Sequence, residues 1–356
     1  MNIESKIATV DLFCGVGGLT HGLKKAGIKV RAGIDLDASC KYAYEENNKA
    51  AFIGEDISRI TGNDLAKFWN PDEVKVLVGC APCQPFSSHS NKVKDKESGG
   101  KWNLLNEFLR IVDETSPSVI SMENVPNLSN KNIFTNFVSK LKELGYNVSY
   151  KNVYCPDYGI PQKRRRLVLL ASKFGEISLI PPTHKPKDYI TVKEAISHLE
   201  KIENGEKSKS DKLHFTTKLT DINLKRIKAS VPNGSWEDWS DELKLECHKK
   251  QTGKSYKAVY GRMSWNEPSP TITTQFYNYG TGRFGHPEQD RALTVREASI
   301  LQSFPADYKF FEKEDNIILT KIGTHIGNAV PVELGYVIGR SIIKHLKTFT
   351  HEQLHI

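Results

Sequence analysis

The chain has few cysteines, no long apolar run and no repeated segment, and each shortage closes off a class of protein. Its six cysteines are scattered over 356 residues, which makes no disulfide framework, so a reducing compartment is expected. The longest clearly apolar stretches, such as 167–171, are far too short to cross a bilayer, so no membrane partner is expected. The start, "MNIESKIATVDLF", lacks a basic segment followed by a long apolar core, so no secretion signal is read and a cytoplasmic location is expected. No internal repeat and no strongly biased segment is found, which sets repeat architectures aside.

What is present is the composition of a soluble globular protein, 38% apolar and 26% charged, long enough for two domains or one with an insertion. Fifty basic against 42 acidic side chains leave a formal charge of +8. An excess of Lys and Arg favours a polyanionic partner, because these side chains displace counterions condensed on phosphates. A bland basic surface would give the same total, so charge alone does not decide.

Along the chain, short apolar runs at 7–13, 30–35, 74–78, 119–122 and 166–171 read as buried strands, with a helix near 19–26. Continuous β-branched runs separated by helical segments argue for an α/β fold with a doubly wound, mostly parallel sheet covered on both faces. After about residue 172 the texture becomes lysine-rich and polar, with "ENGEKSKSDK" at 203–212 as an exposed loop. Three segments are therefore expected: 1–179 as the first part of a catalytic, cofactor-binding domain, 180–287 as a smaller loop-rich domain, and 288–356 returning to the first. A helix is expected at 294–302, and 332–346 is amphipathic and packs back onto the sheet.

"VDLFCGVGGLTHGL" at 10–23 is a strand running into a Gly-x-Gly-Gly turn and then a helix. Glycines there let backbone approach a ligand, although a tight turn alone would also need them. Asp35 ends the second strand, where an acid accepts hydrogen bonds from ribose hydroxyls. The glycine spacing suits a pyrophosphate poorly and a nucleoside without phosphates better, which points to S-adenosylmethionine. Asp56 in "GEDIS" is placed to read the adenine amino group; as an ordinary residue it would be a loop acid or helix cap.

"GCAPCQPFSSHS" at 79–90 puts two cysteines three apart, and such a pair can be a redox couple, half a zinc site, or one nucleophile beside a packing residue. A zinc site needs four ligands, and no second Cys-x-x-Cys accompanies this one, so no metal is expected. A thioredoxin-like pair expects a helix starting at the first cysteine, whereas Pro85 and serines follow here. Cys83 lies beyond the carboxyl end of one strand and Glu123 beyond that of another, so a thiol and a carboxyl group can face one crevice. Cys80 is then left with packing at the strand end. "YGIPQKRRRLVLLAS" adds Gln162, Arg164 and Arg166, and period-two geometry puts the last two on one face with Arg165 opposite.

These residues carry a resemblance to the DNA (cytosine-5) methyltransferases, covering nearly the whole chain with the motifs in the family's order. "DLFCGVGGL" resembles the cofactor motif, "PCQPFS" the catalytic-cysteine motif, "ENV" at 123–125 the glutamate motif and "QKRRR" the Gln-x-Arg-x-Arg motif. "RALTVREASILQSFPADY" (291–308) and "IGNAVPVELG" (326–335) match the last two blocks. The resemblance implies catalytic roles for Cys83, Glu123, Arg164 and Arg166, acting on a cytosine flipped out of the duplex. The Cys83 thiolate would add to carbon 6 of the ring, while Glu123 bonds N3 and the exocyclic amine. Arg166 would hold the base carbonyl, with Arg164 supporting it. Carbon 5 would then take the methyl group of S-adenosylmethionine, leaving S-adenosylhomocysteine.

In the cofactor site the resemblance implies Phe13 and Leu36 packing the methionine or adenosine parts, Asp35 on the ribose, and Asp56 and Ile57 around the adenine. Gly15, Gly17 and Leu19 belong to the turn, Pro82 and Leu104 close the pocket, and Asn328 meets the methionine end. It further implies that 90–101 closes over DNA and that 180–287 reads base edges, with candidates near 236–239 and 275–286. The expected partner is double-stranded DNA, the expected state a monomer, and the expected setting a bacterial or phage-infected cell with a cognate restriction endonuclease for the same site. No chromatin-reading segment is read in these residues, so a eukaryotic multidomain enzyme is not expected. A tRNA cytosine-5 methyltransferase is the alternative; that branch carries a Cys-Phe-Thr signature, and here Cys247 is followed by His248. From other classes, a catalytically silent nucleic-acid-binding protein or a thiol oxidoreductase would have to do without the chemistry these motifs carry.

Overall fold

Runs of apolar and β-branched residues form strands buried on both faces, and β1 (Ile7–Leu12) is buried at every position. The computed structural model describes residues 3–82, 104–250, 257–313, 317–350 and 352–354. After β1 come α1 (Gly18–Lys25), β2 (Lys29–Ile34), α2 (Lys41–Asn48), β3 (Ala51–Ile53), α3 (Gly62–Ala66) and β4 (Val74–Gly79). These are followed by α4 (Leu104–Thr115), β5 (Val119–Asn124), α5 (Asn132–Glu143), β6 (Asn147–Tyr154) and β7 (Arg165–Ser172). The remaining helices are α6 (Val192–Ile196), α7 (Asp221–Ala229), α8 (Glu246–Lys249), α9 (Val295–Leu301), α10 (Leu319–Asn328) and α11 (Val332–Leu346). Among the described residues no helix is long and apolar enough to cross a membrane.

The strands make one seven-stranded sheet in the order β3-β2-β1-β4-β5-β7-β6. Neighbours from β3 to β5 are parallel, and β7 runs antiparallel to both β5 and β6. The expected doubly wound, mostly parallel sheet is thus what forms. All five expected strands are present, and β3 and β6 are additions. The strand order reverses between β1 and β4, the place where open α/β sheets leave a crevice at the carboxyl ends of their strands.

The chain divides into two compact units, one made of 1–158, 165–183 and 329–356, the other of 159–164 and 184–328. In the first, alternate sheet residues such as Val10, Leu12, Leu77, Met122 and Leu169 pack with α3, α4 and α5 in one apolar cluster. The buried positions of α4, Leu105, Phe108, Ile111, Val112 and Thr115, recur at helical spacing, which is why that stretch folds as an amphipathic helix. The opposite face of β1 carries Asp11, whose carboxylate accepts from the Thr20 hydroxyl of α1 at 2.6 Å. The expected amphipathic helix at 332–346 forms, but its main partner is α1 rather than the sheet it was expected to pack onto.

The second unit has short helices, isolated bridges and a smaller apolar cluster of Ile227, Trp236, Trp239, Tyr279 and Ala292. The aromatic residues of 236–239 and 275–286 are therefore mostly core. Trp236, Trp239, Phe276, Tyr279 and Phe284 are all buried, because a small unit needs its large apolar side chains inside.

Candidate active site at the carboxyl ends of the strands

The turn after β1 begins with Phe13 at φ 59° and reaches Gly17 at φ 90°, the cap of α1, a left-handed value that glycine takes without strain. The Gly15 N–H donates to Asp35 Oδ2 at 2.8 Å, and the Asp37 N–H donates to Asp35 Oδ1 at 2.9 Å. One carboxylate thus ties the turn to the end of β2. Beside it Leu36 is 70% exposed, which is unusual for a large apolar side chain. A methyl group added at Gly15 would meet no atom within 4 Å, so the turn borders open space. An open backbone turn, a carboxylate and an exposed apolar side chain fit a nucleoside with an apolar face.

Other predicted cofactor residues are placed differently. Leu19 and Ile57 are buried, and Leu104 is half-buried against the main core. Pro82 is exposed at the exit of β4. Asp56 Oδ1 caps its own short turn, accepting from the Ser58 N–H at 2.9 Å and the Ser58 hydroxyl at 2.8 Å. These bonds hold the Asp56 carboxyl below its usual range. The helix-cap reading of Asp56 is therefore realised, with Oδ2 left to meet anything else. Asn328 ends α10 in the second unit.

Glu123, 2% exposed, stands near the end of β5. Its Oε1 lies 2.8 Å from Arg166 Nε, and its Oε2 accepts from the Cys80 thiol at 2.7 Å. The pairing follows from the sheet: β5 lies between β4 and β7, so its last residues lie between the exit of β4 and the start of β7. Arg166 is an internal-strand arginine, and its guanidinium compensates the buried carboxylate. Arg165 points elsewhere, its guanidinium 4.4 Å from the centre of the Tyr154 ring. Next along β5, the Asn124 side-chain amide donates to the Ala81 carbonyl at 2.9 Å. The Cys80 N–H donates to the Leu12 carbonyl at 3.2 Å. Two consecutive residues of β5 thereby grip the segment that leads to Cys83. Cys83 itself, with the expected closing loop 90–101, lies outside the described residues.

Arg164 and Gln162 belong to the second unit. Arg164, 2% exposed, donates to the carbonyls of Ile272 at 3.1 Å and Gly327 at 3.4 Å. The Gln162 amide bonds the Leu301 carbonyl, Gln302 Oε1 and the Ile272 N–H. The motif's glutamine and first arginine are thus built into the second unit, while Arg166 reaches Glu123 in the first.

Two features escaped the sequence reading. The contact of Cys80 with Glu123 is one, since a cysteine three residues before Cys83 carries no local sign of such a partner. The other is Asp11, fully buried and pushed up to about 7, chiefly by loss of hydration and further by Asp35. Cys14 and Cys40 are held as thiols, because burial pushes both well above the ordinary thiol range.

A family model, C-5 cytosine-specific DNA methylase, matches residues 7–344. The type II methylase M.HgiDII of Herpetosiphon aurantiacus is 52% identical over 97% of this chain and 98% of its own length. The type II methyltransferase M.Eco47II of Escherichia coli is 30% identical, covering 96% of this chain and 80% of its own. Among solved structures, a prophage-encoded E. coli protein described as a DNA modification methyltransferase superposes with a TM-score of 0.71 at 22% identity, over 96% of this chain and 99% of its own. The Dnmt2 methyltransferase of S. pombe superposes with a TM-score of 0.65 at 18% identity, over 96% of this chain and 99% of its own. Such identities speak for the fold, whereas the family model spans nearly the whole chain, sheet and second unit alike. The chain belongs to the C-5 cytosine-specific DNA methylase family.

Proposed function

We propose that the protein methylates carbon 5 of a cytosine in a specific sequence of double-stranded DNA, as the modification enzyme of a restriction–modification pair. The observation that carries this is the Glu123 carboxylate, buried and paired with Arg166, beside the backbone that leads to Cys83. A buried, oriented acid next to a thiol is what addition to an electron-poor ring needs.

The target base leaves the stack, because its ring carbons cannot be reached inside the duplex. The Cys83 thiolate adds to carbon 6. Glu123, carrying a proton, donates it to N3 and accepts from the exocyclic amine, so the charge pushed into the ring is neutralised there and the proton returns when the ring is restored; Arg166 holds the base carbonyl, and Arg164 supports the network. Carbon 5 becomes nucleophilic and gains the methyl group; loss of its proton and expulsion of the Cys83 thiolate restore the ring. S-adenosylmethionine supplies an electrophilic methyl group when bound. Asp35 would hold its ribose hydroxyls, with Phe13 and Leu36 against its apolar parts. Gly15, Gly17 and Leu19 shape the turn, Asp56 and Ile57 border the adenine, Pro82 and Leu104 close the pocket, and Asn328 meets the methionine end. The second unit would carry sequence recognition, and the catalytic and cofactor residues would come mainly from the first. The protein would act as a cytoplasmic monomer.

Incubation with labelled S-adenosylmethionine and either duplex DNA or tRNA tests this reading. Label is expected in DNA at carbon 5, and label only in tRNA would overturn the substrate. Bisulfite sequencing of DNA from cells making the protein would give the recognition site. Cys83→Ala should abolish transfer while sparing DNA and cofactor binding; full turnover by that variant would sink the mechanism.

A further inference from the structure

Glu123 is held by an ion pair at Oε1, which makes no hydrogen bond among the described residues, and by a hydrogen bond at Oε2. Arg166 Nε lies 2.8 Å from Oε1, and the Cys80 thiol donates to Oε2 at 2.7 Å. The Cys80 backbone is itself fixed, its N–H on the Leu12 carbonyl at 3.2 Å and the next carbonyl, that of Ala81, held by Asn124 at 2.9 Å. The thiol therefore reaches the carboxylate from a segment tied to β1 and β5 by these two hydrogen bonds.

We propose that Cys80 is a positioning residue for methyl transfer, its S–H setting the plane of the Glu123 carboxylate. The inference rests on the reading above, in which Glu123 meets the target base. The terminal torsion of a glutamate is broad, so one anchor on Oε1 leaves the carboxylate plane free to swing. A second anchor on Oε2 fixes it. Oε2 has two lone pairs, and a thiol is a weak donor. One lone pair stays open to the exocyclic amine of the base, and the thiol does not compete strongly for it. A charged donor at this place would bind the carboxylate in the ground state as firmly as in the transition state, which does not raise the rate of the chemical step.

Single-turnover methylation of duplex DNA tests this with C80A, C80S and C80V, each alone and combined with E123Q, and with melting temperatures measured alongside. C80A is expected to slow the methyl-transfer step about 2- to 12-fold, the range for losing one ordinary hydrogen bond, since a thiol is a weak donor, with little change in the KM for S-adenosylmethionine. C80S keeps a donor and should recover most of the rate; C80V keeps the volume without a donor and should not. In the E123Q background C80A should add almost nothing, because its effect runs through the carboxylate. The proposal is overturned if C80A matches the wild type, if C80V rescues and C80S does not, or if C80A slows the E123Q enzyme by the same factor. A wild-type protein that leaves no methyl group on DNA cytosine would instead overturn the functional reading, so the two failures are distinct.

Discussion

In the first unit the interior is mainly apolar and the backbone of its sheet is hydrogen-bonded from strand to strand. In the second, arginines thread the interior and end on backbone carbonyls. Arg262, 5% exposed, donates to the carbonyls of Ser230, His286, Gln289 and Ile227 and to Asp290. Arg291, fully buried, forks onto both oxygens of Glu297 at 2.9 and 2.7 Å and also reaches the carbonyls of Ile202 and Ala292. A sheet satisfies its backbone by pairing with itself, whereas irregular chain must find other donors for its buried carbonyls. Guanidinium, with five fixed donors, can serve several at once. The second unit thus concentrates its order in a few side chains, and the first spreads it over many.

The sharpest way to break this contrast is Arg291→Ala, which leaves Glu297, 1% exposed, without its guanidinium. Stripping one partner from a buried ion pair costs about 3–5 kcal/mol. Hydrogen exchange should show the loss of protection falling on the second unit; uniform protection would refute the contrast. Next comes Gly22→Ala in the first unit, where the added methyl carbon would sit 2.2 Å from the Val332 carbonyl oxygen and 2.5 Å from the Tyr336 nitrogen. Backbone cannot step aside as a side chain can, so α1 and α11 must separate, at a cost of about 2–3 kcal/mol in urea unfolding.

A third test uses pH, because the two units hold buried groups of opposite sense. Asp11 is raised from 3.8 to about 7, so the unfolded chain gives up this proton while the folded chain keeps it. Its contribution is full below pH 3.8 and is lost as pH rises through about 7. His286 is lowered from 6.5 to about 4, first by burial, with Glu297 opposing and Arg291 and Arg262 reinforcing. Its contribution is full above pH 6.5 and is lost as pH falls through about 4. Melting curves of Asp11→Asn should gain on the wild type from acid toward pH 8, and those of His286→Asn should gain toward pH 4.5; parallel curves for either would contradict the assignment. The smallest effect expected is for Thr61→Ala, which removes the capping box with Asp64 at the start of α3. That change should cost about 1 kcal/mol and leave the second unit untouched.

The same contrast explains what was legible in the sequence. Buried parallel strands announce themselves as continuous apolar runs, so β1, β2, β4, β5 and β7 could be read. β3 has only three residues, too few to display a pattern. β6 is an edge strand with one fully buried position, Val153, and so shows no clean alternation. The helix at 332–346 was read with its bounds because eleven of its positions are buried on a helical stripe. In the site, the pairing of Glu123 with Arg166 was within reach, since both lie at strand ends in recognisable motifs. Cys80 was not, because its partner is 43 residues away and depends on β4 lying beside β5. The buried arginines of the second unit were equally hidden. Their acceptors are backbone carbonyls, which every residue has, so no residue type marks them.

The sequence by itself determined the class of fold, the family and the chemistry, because strand patterning and reactive residue types are local properties. Only the tertiary structure decided which groups meet: Asp35 with Gly15, the carboxylate of Glu123 with both Arg166 and Cys80, and Arg291 with Glu297. The reason is physical. Hydrogen bonds and ion pairs depend on distances of a few ångströms between residues far apart in the chain, and strand order and side-chain packing set those distances. "GCAPCQPFS" shows two cysteines without saying what either will meet, and the sheet makes the first of them a partner of the acid.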